Sequence, residues 1–408
     1  MVAWLEDALE AGRLYRSIGA LREEPLRPHV LRAWERSHGG GADPRRPQAE
    51  GLSPLDTERL RERHRGLLQA AEPYMYALSR ASGDEHHAVM LGDAQAIVLD
   101  VRGDEYSVHG PERVPGPGAL LEESACGANG IGSALAEAGY IELVGPEHFI
   151  QGFHAFTCQG IPLRGEEGAV AGVLSVSVKR PEVSRRLREI LLCAAHAIEM
   201  ELLAGRLERD MERVLAARDV PMEELKRLLQ DILQVQAAAR LRIEIAADQL
   251  ARNLLTHTRD LIQLAATVLH RFRRRAALWR ALALDEALAP RPVALDAMVR
   301  DIAELLEVES AVCDVTTTCQ EIEPVVVEAD PHTLVRVLFR VLLGAIKAAR
   351  GGAVHLALRS RPTGGELCLT LAPGLGVARN APPPVRILVP AHMGAPERRA
   401  RDLTEGSA

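Results

Sequence analysis

The chain has 408 residues, 47% of them apolar and 26% charged, with a formal net charge of -7. This is the composition of a globular protein with room for two or three domains. Mixed-sign charge and 3% aromatic content argue against a dedicated nucleic-acid surface or a base-stacking platform.

No uncharged apolar stretch approaches the roughly 20 residues needed to span a bilayer, and no charged-then-apolar leader opens the chain. A cytoplasmic protein without a membrane partner is therefore expected. Six cysteines (126, 158, 193, 313, 319 and 368) form no Cys-x-x-Cys pair, so neither a zinc ribbon nor a disulfide framework is indicated.

Residues 1–38 carry a helical period with Leu5, Leu9, Ala11, Leu14 and Ile18 on one side. A glycine-rich turn at 39–44 ends them, and residues 44–54 read as a short linker. A second amphipathic helix is expected over 55–82, followed by two strands at 88–93 and 96–100 joined by a tight turn. The Pro/Gly-rich stretch 110–118 suits the rim of a pocket. Residues 169–178 (AVAGVLSVSV) are apolar and β-branched enough for a central strand, and the polar turn before them suggests a hairpin at the edge of a ligand-binding sheet. Gly127, Gly130 and Gly132 do not form a phosphate loop, because neither the flanking context nor a Lys-Ser/Thr pair is present.

From His196 the chain is helical for about ninety residues. Met200, Leu203, Leu207, Met211 and Val214, then Leu225, Leu228, Ile232, Val235 and Ala239, step by three and four, the spacing of a seam that two parallel helices bury against each other. A homodimeric coiled-coil stalk is expected. Asp330 before Pro331 suits a helix start, with a side-chain cap and proline in the first turn. His148, His154, Cys158 and Cys126 match the spacing of no closed metal site, and no Ser-His-Asp or Cys-His set stands out. No metal and no cofactor are expected.

Three ordered blocks carry a resemblance: Gly127-Ala128-Asn129-Gly130-Ile131-Gly132-Ser133-Ala134-Leu135, Glu147-His148-Phe149, and Thr157-Cys158-Gln159-Gly160-Ile161-Pro162-Leu163. Together with Trp34-Glu35-Arg36 upstream, they resemble the GAF-type sensor domain of enhancer-binding activators of acetoin and dihydroxyacetone catabolism. Ala128 and Gly130 depart from the family's threonine and alanine. The resemblance implies a small-molecule site at Asn129, Gly132, Glu147, His148, Phe149 and Cys158. That family usually continues into a Walker-motif ATPase and a helix-turn-helix; neither motif is present, so direct nucleic-acid binding is not expected.

Residues 291–299 and 325–334 resemble the entry to the ATP-binding domain of a sensor histidine kinase. Against that family's Asn-x-x-x-Asn helix and Asp-x-Gly-x-Gly loop, this chain has Arg340 and Gly344, then Ala372 before Gly374 and Gly376, so the metal ligand and the adenine acceptor are replaced. Between His196 and His257 there is no histidine, which leaves His257, three residues before Asp260, as the substitute phosphoacceptor.

The expected fold is a multidomain α/β chain: a helical lead-in (1–54), a GAF-like α/β sensor (55–200), a dimeric helical stalk or hairpin (201–285), a truncated Bergerat-like α/β sandwich (290–392) and a tail (393–408). The expected function is that of a catalytically degenerate kinase-like regulator with a sensor ligand and a protein partner. The alternative is an active histidine kinase that uses His257.

Overall fold

The computed structural model describes residues 3–18, 26–111, 113–165, 168–216, 222–284, 287–372 and 384–391. In chain order the elements are α1 (Ala3–Ile18), α2 (Pro28–Gly39), α3 (Pro54–Arg63), α4 (Arg65–Ala81), β1 (His87–Gly92), β2 (Val98–Gly103), α5 (Glu105–His109), α6 (Glu123–Cys126), α7 (Gly132–Ala136), β3 (Ile141–Val144), β4 (Thr157–Arg164) and β5 (Val170–Val178). They continue with α8 (Pro181–Ala216), α9 (Met222–Ala251), α10 (Leu255–Ala283), β6 (Arg291–Ala294), α11 (Leu295–Leu305), α12 (Glu307–Val312), β7 (Thr316–Ile322), β8 (Val326–Ala329), α13 (Pro331–Ala348), β9 (Ala353–Arg361), β10 (Gly364–Ala372) and β11 (Val385–Pro390). The chain divides into two compact units, Met1–Arg206 with Val235–Phe272, and Leu207–Gln234 with the residues from Arg273 onward.

The first unit is built on a five-stranded sheet of order β2-β1-β5-β4-β3, antiparallel at every step. The run read as a central strand is central, since β5 pairs with both β1 and β4 and is buried continuously from Gly172 to Val178. The β4–β5 hairpin therefore lies in the middle of the sheet, not at its edge. A strand buried on both faces must satisfy any polar side chain internally, and Ser175 and Ser177 do so with Gln159 O and Cys158.

One face of the sheet packs on buried residues of α4, among them Met75 and Leu78, and is hydrogen-bonded to α8 from Gln159 to Ser184 and from Arg164 N–H to Glu199. The other face packs into a core shared with the N-terminal helices, in which Met90, Cys158 and Val173 meet Ile131, Phe149 and Trp34.

Two helices replace the single N-terminal helical region. The buried side of α1 is Ala8, Ala11 and Tyr15, whereas Leu5, Leu9 and Leu14 are only half-buried. Tyr15 sets that face: its ring lies 5.3 Å from Phe149 and 6.2 Å from Trp34, so the aromatic contact outweighs the leucine stripe. The expected 55–82 helix breaks at His64 into α3 and α4. The stretch read as a linker is tied to the domain by Leu52 N–H to Gly118 O and Leu120 N–H to Glu50 O.

The second unit has a four-stranded sheet, β11-β10-β9-β7, in which only the β7–β9 step is parallel, and a separate β6–β8 pair. α11 and α13 pack beside it through Val299, Ile302, Leu338 and Leu342. Asp330 caps α13 as its position before proline suggests: its carboxylate accepts from His332 N–H and from the Thr333 hydroxyl.

The apolar seam of the long helices is largely covered within one chain. Met200, Leu207, Met211, Val214, Leu225, Leu228, Ile232 and Ala239 are buried within one chain, while Leu203 and Val235 are half-buried. The sequence argument for pairing assumed that nothing else could bury it, and folding of the chain on itself does so. Among the described residues no helix is long and apolar enough to cross a membrane.

Candidate functional site

Period-two geometry makes β4 the wall between two environments, because adjacent side chains of a strand point to opposite faces. Cys158 faces the N-terminal core, and Gln159 faces α8. On the core side, Cys158 lies with Met90 of β1, Ser177 of β5, Leu121, Ile131 and Phe156 around a small, largely apolar cavity of about 20 Å³. Cys158 Sγ and Ser177 Oγ are 3.0 Å apart. Burial pushes the Cys158 thiol up to about 12, with the Ser177 contact opposing, so the free sulfur stays protonated at neutral pH.

The glycine-rich block forms the cavity floor, and Asn129 holds it. Its side-chain amide donates to Leu121 O and Gly127 O, both at 2.7 Å, while its carbonyl oxygen accepts from Ile131 N–H (2.9 Å) and Gly132 N–H (2.8 Å). With those bonds made, Asn129 is a positioning residue for the loop. Two glycines are dictated by close approach: Gly127, at φ +67°, where a Cβ would sit 2.5 Å from Phe149, and Gly160, where it would sit 1.7 Å from Gly130 O.

The remaining residues of the expected ligand set lie elsewhere. Gly132 lines an open groove with Arg36, Glu122 and Glu123. Glu147 accepts from Arg27 Nε at 2.6 Å, from Arg27 Nη2, and from Val144 N–H at 2.8 Å, while its backbone carbonyl takes the Trp34 indole N–H at 2.8 Å. Phe149 stacks in the Trp34–Tyr15 cluster. Glu147 and Phe149 thus fasten α1 and α2 to the domain.

His148 is fully buried, and Nε2 has no hydrogen-bond partner; desolvation pushes its pKa down to about 4 against the opposing pull of Gly145 O, so it is neutral at pH 7. Among the described residues no three His, Cys, Asp or Glu side chains gather where a metal ion could bind. All six cysteines are unpaired.

On the opposite face of β4, the Gln159 amide nitrogen donates to Ser184 O at 2.6 Å and to Ser184 Oγ, in the first turn of α8, and lies 3.4 Å from Glu142 of β3. Sequence reading passed over Gln159, Met90, Phe153 and Ser177. For Gln159 a signal existed, an amide inside an otherwise apolar strand. For the other three none did, because strand order decides which alternate residues converge.

In the second unit, Arg340 and Gly344 lie on the exposed side of α13, and no atom comes within 4 Å of a Cβ built on Gly344. Ala372 ends β10; Gly374 and Gly376 lie outside the described residues. His257 is exposed in the first turn of α10, and Asp260 is exposed in the next turn. The basic run 271–275 is partly spent on internal ion pairs: Arg274 meets Asp301, and Arg275 meets Asp231 and Glu307.

The N-terminal half matches the family described as MimR, N-terminal domain, over residues 5–198. Residues 5–198 are an N-terminal MimR domain. The chain is 27% identical over 221 residues to the acetoin dehydrogenase operon transcriptional activator AcoR of Bacillus subtilis, covering 52% of this chain and 36% of that protein. It is 29% identical over 160 residues to the propane 2-monooxygenase operon transcriptional activator MimR of Mycolicibacterium goodii, covering 39% and 26%. The chain thus spans about a third or less of the length of these relatives.

Among solved structures, the DhaR(N)–DhaL complex of E. coli superposes over 47% of this chain and 66% of that one, with 16% identity and a TM-score of 0.44. The histidine kinase ThkA with its response regulator TrrA superposes over 70% and 79%, with 15% identity and a TM-score of 0.18. Neither score is high enough to define a shared fold.

Proposed function

We propose that this protein is a cytoplasmic, non-catalytic regulator: a GAF-like MimR domain senses a small molecule, and α8, α9 and α10 carry the signal to a degenerate histidine-kinase-like module that works through a protein partner. The observation that carries this reading is the strand β4 of a domain homologous to those of operon activators. Its Cys158 lines an internal cavity while the next residue, Gln159, is bonded to the first turn of the helix that leaves the domain. Occupancy of the cavity displaces β4, and Gln159 passes that displacement to Ser184. A ligand shifts the equilibrium only by its differential affinity for the two arrangements.

The degenerate module is the reading that fits an arginine and an unfilled glycine on the outer side of α13 where a kinase needs carboxamides. A homodimer is part of the proposal, but its face is not the buried seam; Leu241, Ile245, Leu255 and Leu264 are the large apolar residues that α9 and α10 expose.

The test is amide hydrogen exchange of the full chain with and without candidate effectors. Binding must change protection in α8, and Gln159→Leu must abolish that change while leaving binding intact. In parallel, a titration with Mg-ATP and a radiolabel transfer assay should show neither nucleotide binding nor phosphohistidine. Transfer to His257 would replace the degenerate reading with an active kinase.

A further inference from the structure

A strand at the edge of a sheet presents a row of unpaired N–H and C=O groups and recruits other strands unless something blunts it. Three of the four edges of the two larger sheets are blunted. On β3, Glu142 O accepts from Arg27 Nη2 at 3.0 Å and lies 3.3 Å from His29 Nε2, while Val144 N–H donates to Glu147 at 2.8 Å. β2 is closed at Val98, whose N–H donates to Ala119 O and whose carbonyl accepts from Gly118 N–H. On β7 the register shifts between Cys319 and Ile322, and Gln320 and Glu321 are exposed at that irregularity.

β11 carries none of these devices. It pairs with β10 alone, in unbroken register, and among the described residues no other group bonds to the backbone of Val385–Pro390. Leu388 is 69% exposed, the most of any large apolar side chain among the described residues, and Val385 is 44% exposed. The one charge of the strand, Arg386, already has Glu366 of β10 at 4.0 Å. Its neighbours in sequence lack the composition of a covering strand: residues 382–384 are prolines, and residues 397–405 include Glu397, Arg398, Arg399, Arg401, Asp402 and Glu405.

We propose that β11 is a self-association edge: it pairs antiparallel with β11 of a second copy of this chain, so that one sheet runs through both copies. A strand that pairs with its own copy about a two-fold axis sets one residue opposite itself. Centred on Leu388, the pairing runs the whole strand, with Ile387 opposite Val389, Arg386 opposite Pro390 and Val385 opposite Ala391. Opposite residues share a face of the sheet, so the two exposed Leu388 side chains cover each other. Only a pairing centred on Arg386 opposes like charges, and a strand with this charge placement therefore tolerates its own copy. A single strand pair is a small contact, so the association is reversible and concentration-dependent. It is separate from the apolar face of α9 and α10 and does not rest on it.

The experiment is sedimentation velocity of the full chain over a concentration series, with Leu388→Lys and, for the helical face, Leu264→Lys. Leu388→Lys sets like charges opposite each other and should weaken self-association about tenfold. Under mild oxidation Leu388→Cys should give an interchain disulfide that the wild-type cysteines do not, and Arg386→Cys should give none. A chain that stays monomeric at submillimolar concentration, or Leu388→Cys without a disulfide above the wild-type level, overturns the proposal. Association lost in Leu264→Lys and untouched by Leu388→Lys also overturns it, in favour of the helical face. The opposite pattern sinks the helical face and leaves the strand contact standing. A synthetic peptide of residues 385–390 that binds a chain without self-association assigns the edge to a foreign strand and overturns the second copy.

Discussion

Strand β5 and strand β10 are both interior strands of antiparallel neighbours, yet they are buried differently. From Val173 to Val178 every residue of β5 is buried, whereas in β10 Leu367, Leu369 and Leu371 are buried while Cys368 is half-buried and Thr370 is exposed. The first sheet is covered on both faces and the second mainly on the face toward α11 and α13. In its partner β9 the same alternation holds, Val354, Leu356 and Leu358 inside, Ala353, His355 and Ala357 half-buried. A sheet covered on one face can be a platform. A sheet covered on both can hold a small cavity against one face and a helix against the other, with a single strand between them.

The contrast predicts unequal tolerance to added volume. Gly160→Val should be the most damaging change, because the new Cβ would meet the Gly130 carbonyl at 1.7 Å in backbone that has no room to retreat. Overpacking costs roughly 1–3 kcal/mol and occasionally more, and here the clash is with backbone on the cavity floor, so loss of the native N-terminal unit is expected. Circular dichroism with limited proteolysis reads it: unit 1 should become cleavable while unit 2 stays protected.

Acid should separate the two units in a second way. His148 is held neutral in the folded state with a pKa near 4, below its usual 6.5. Protons are therefore bound more tightly by the unfolded chain, and this stabilising contribution is complete above pH 6.5 and lost as pH falls toward 4. Over that window the slope approaches one proton, on the order of 1.4 kcal/mol per pH unit. Asp330 acts in the second unit at lower pH: burial opposes its charge, but hydrogen bonds from Thr333, Leu288 and His332 prevail and lower its pKa, so its contribution persists until pH falls below the ordinary carboxylate range. Urea titrations between pH 7 and 4 should show the slope in the N-terminal unit, and His148→Leu should flatten it whatever its effect on absolute stability.

What could be read from the chain follows from how local each signal is. The alternation of Leu367, Leu369 and Leu371, the Asp330-Pro331 helix start and the apolar run of β5 were legible because periodicity, capping and turn chemistry act within a few residues. The roles of Glu147 and Phe149 were not, because Arg27, Trp34 and Tyr15, their partners, lie more than a hundred residues away. The cavity was only half legible. Asn129 and Cys158 line it, but Ser177, Met90 and Phe153 join them through a strand order in which β5 inserts between β1 and β4. The seam of the long helices was read correctly as apolar and wrongly as uncovered, since a stripe's period says that it will be buried and not by what.

The smallest expected effect closes the comparison from the other side. Gly344 sits in the interior of α13 on its exposed face, and nothing lies within 4 Å of an added Cβ. If this position served only the folding of the second unit, glycine would be a poor choice, costing about 0.5–1 kcal/mol relative to alanine through backbone entropy. Gly344→Ala should therefore raise the stability of the second unit by that amount, seen as a small upward shift in its urea midpoint with an unchanged slope. The same methyl that wrecks one glycine of the first unit should strengthen this one. A loss of stability would mean that the outer side of α13 is already in contact with something, and a second chain is the first candidate to look for by light scattering.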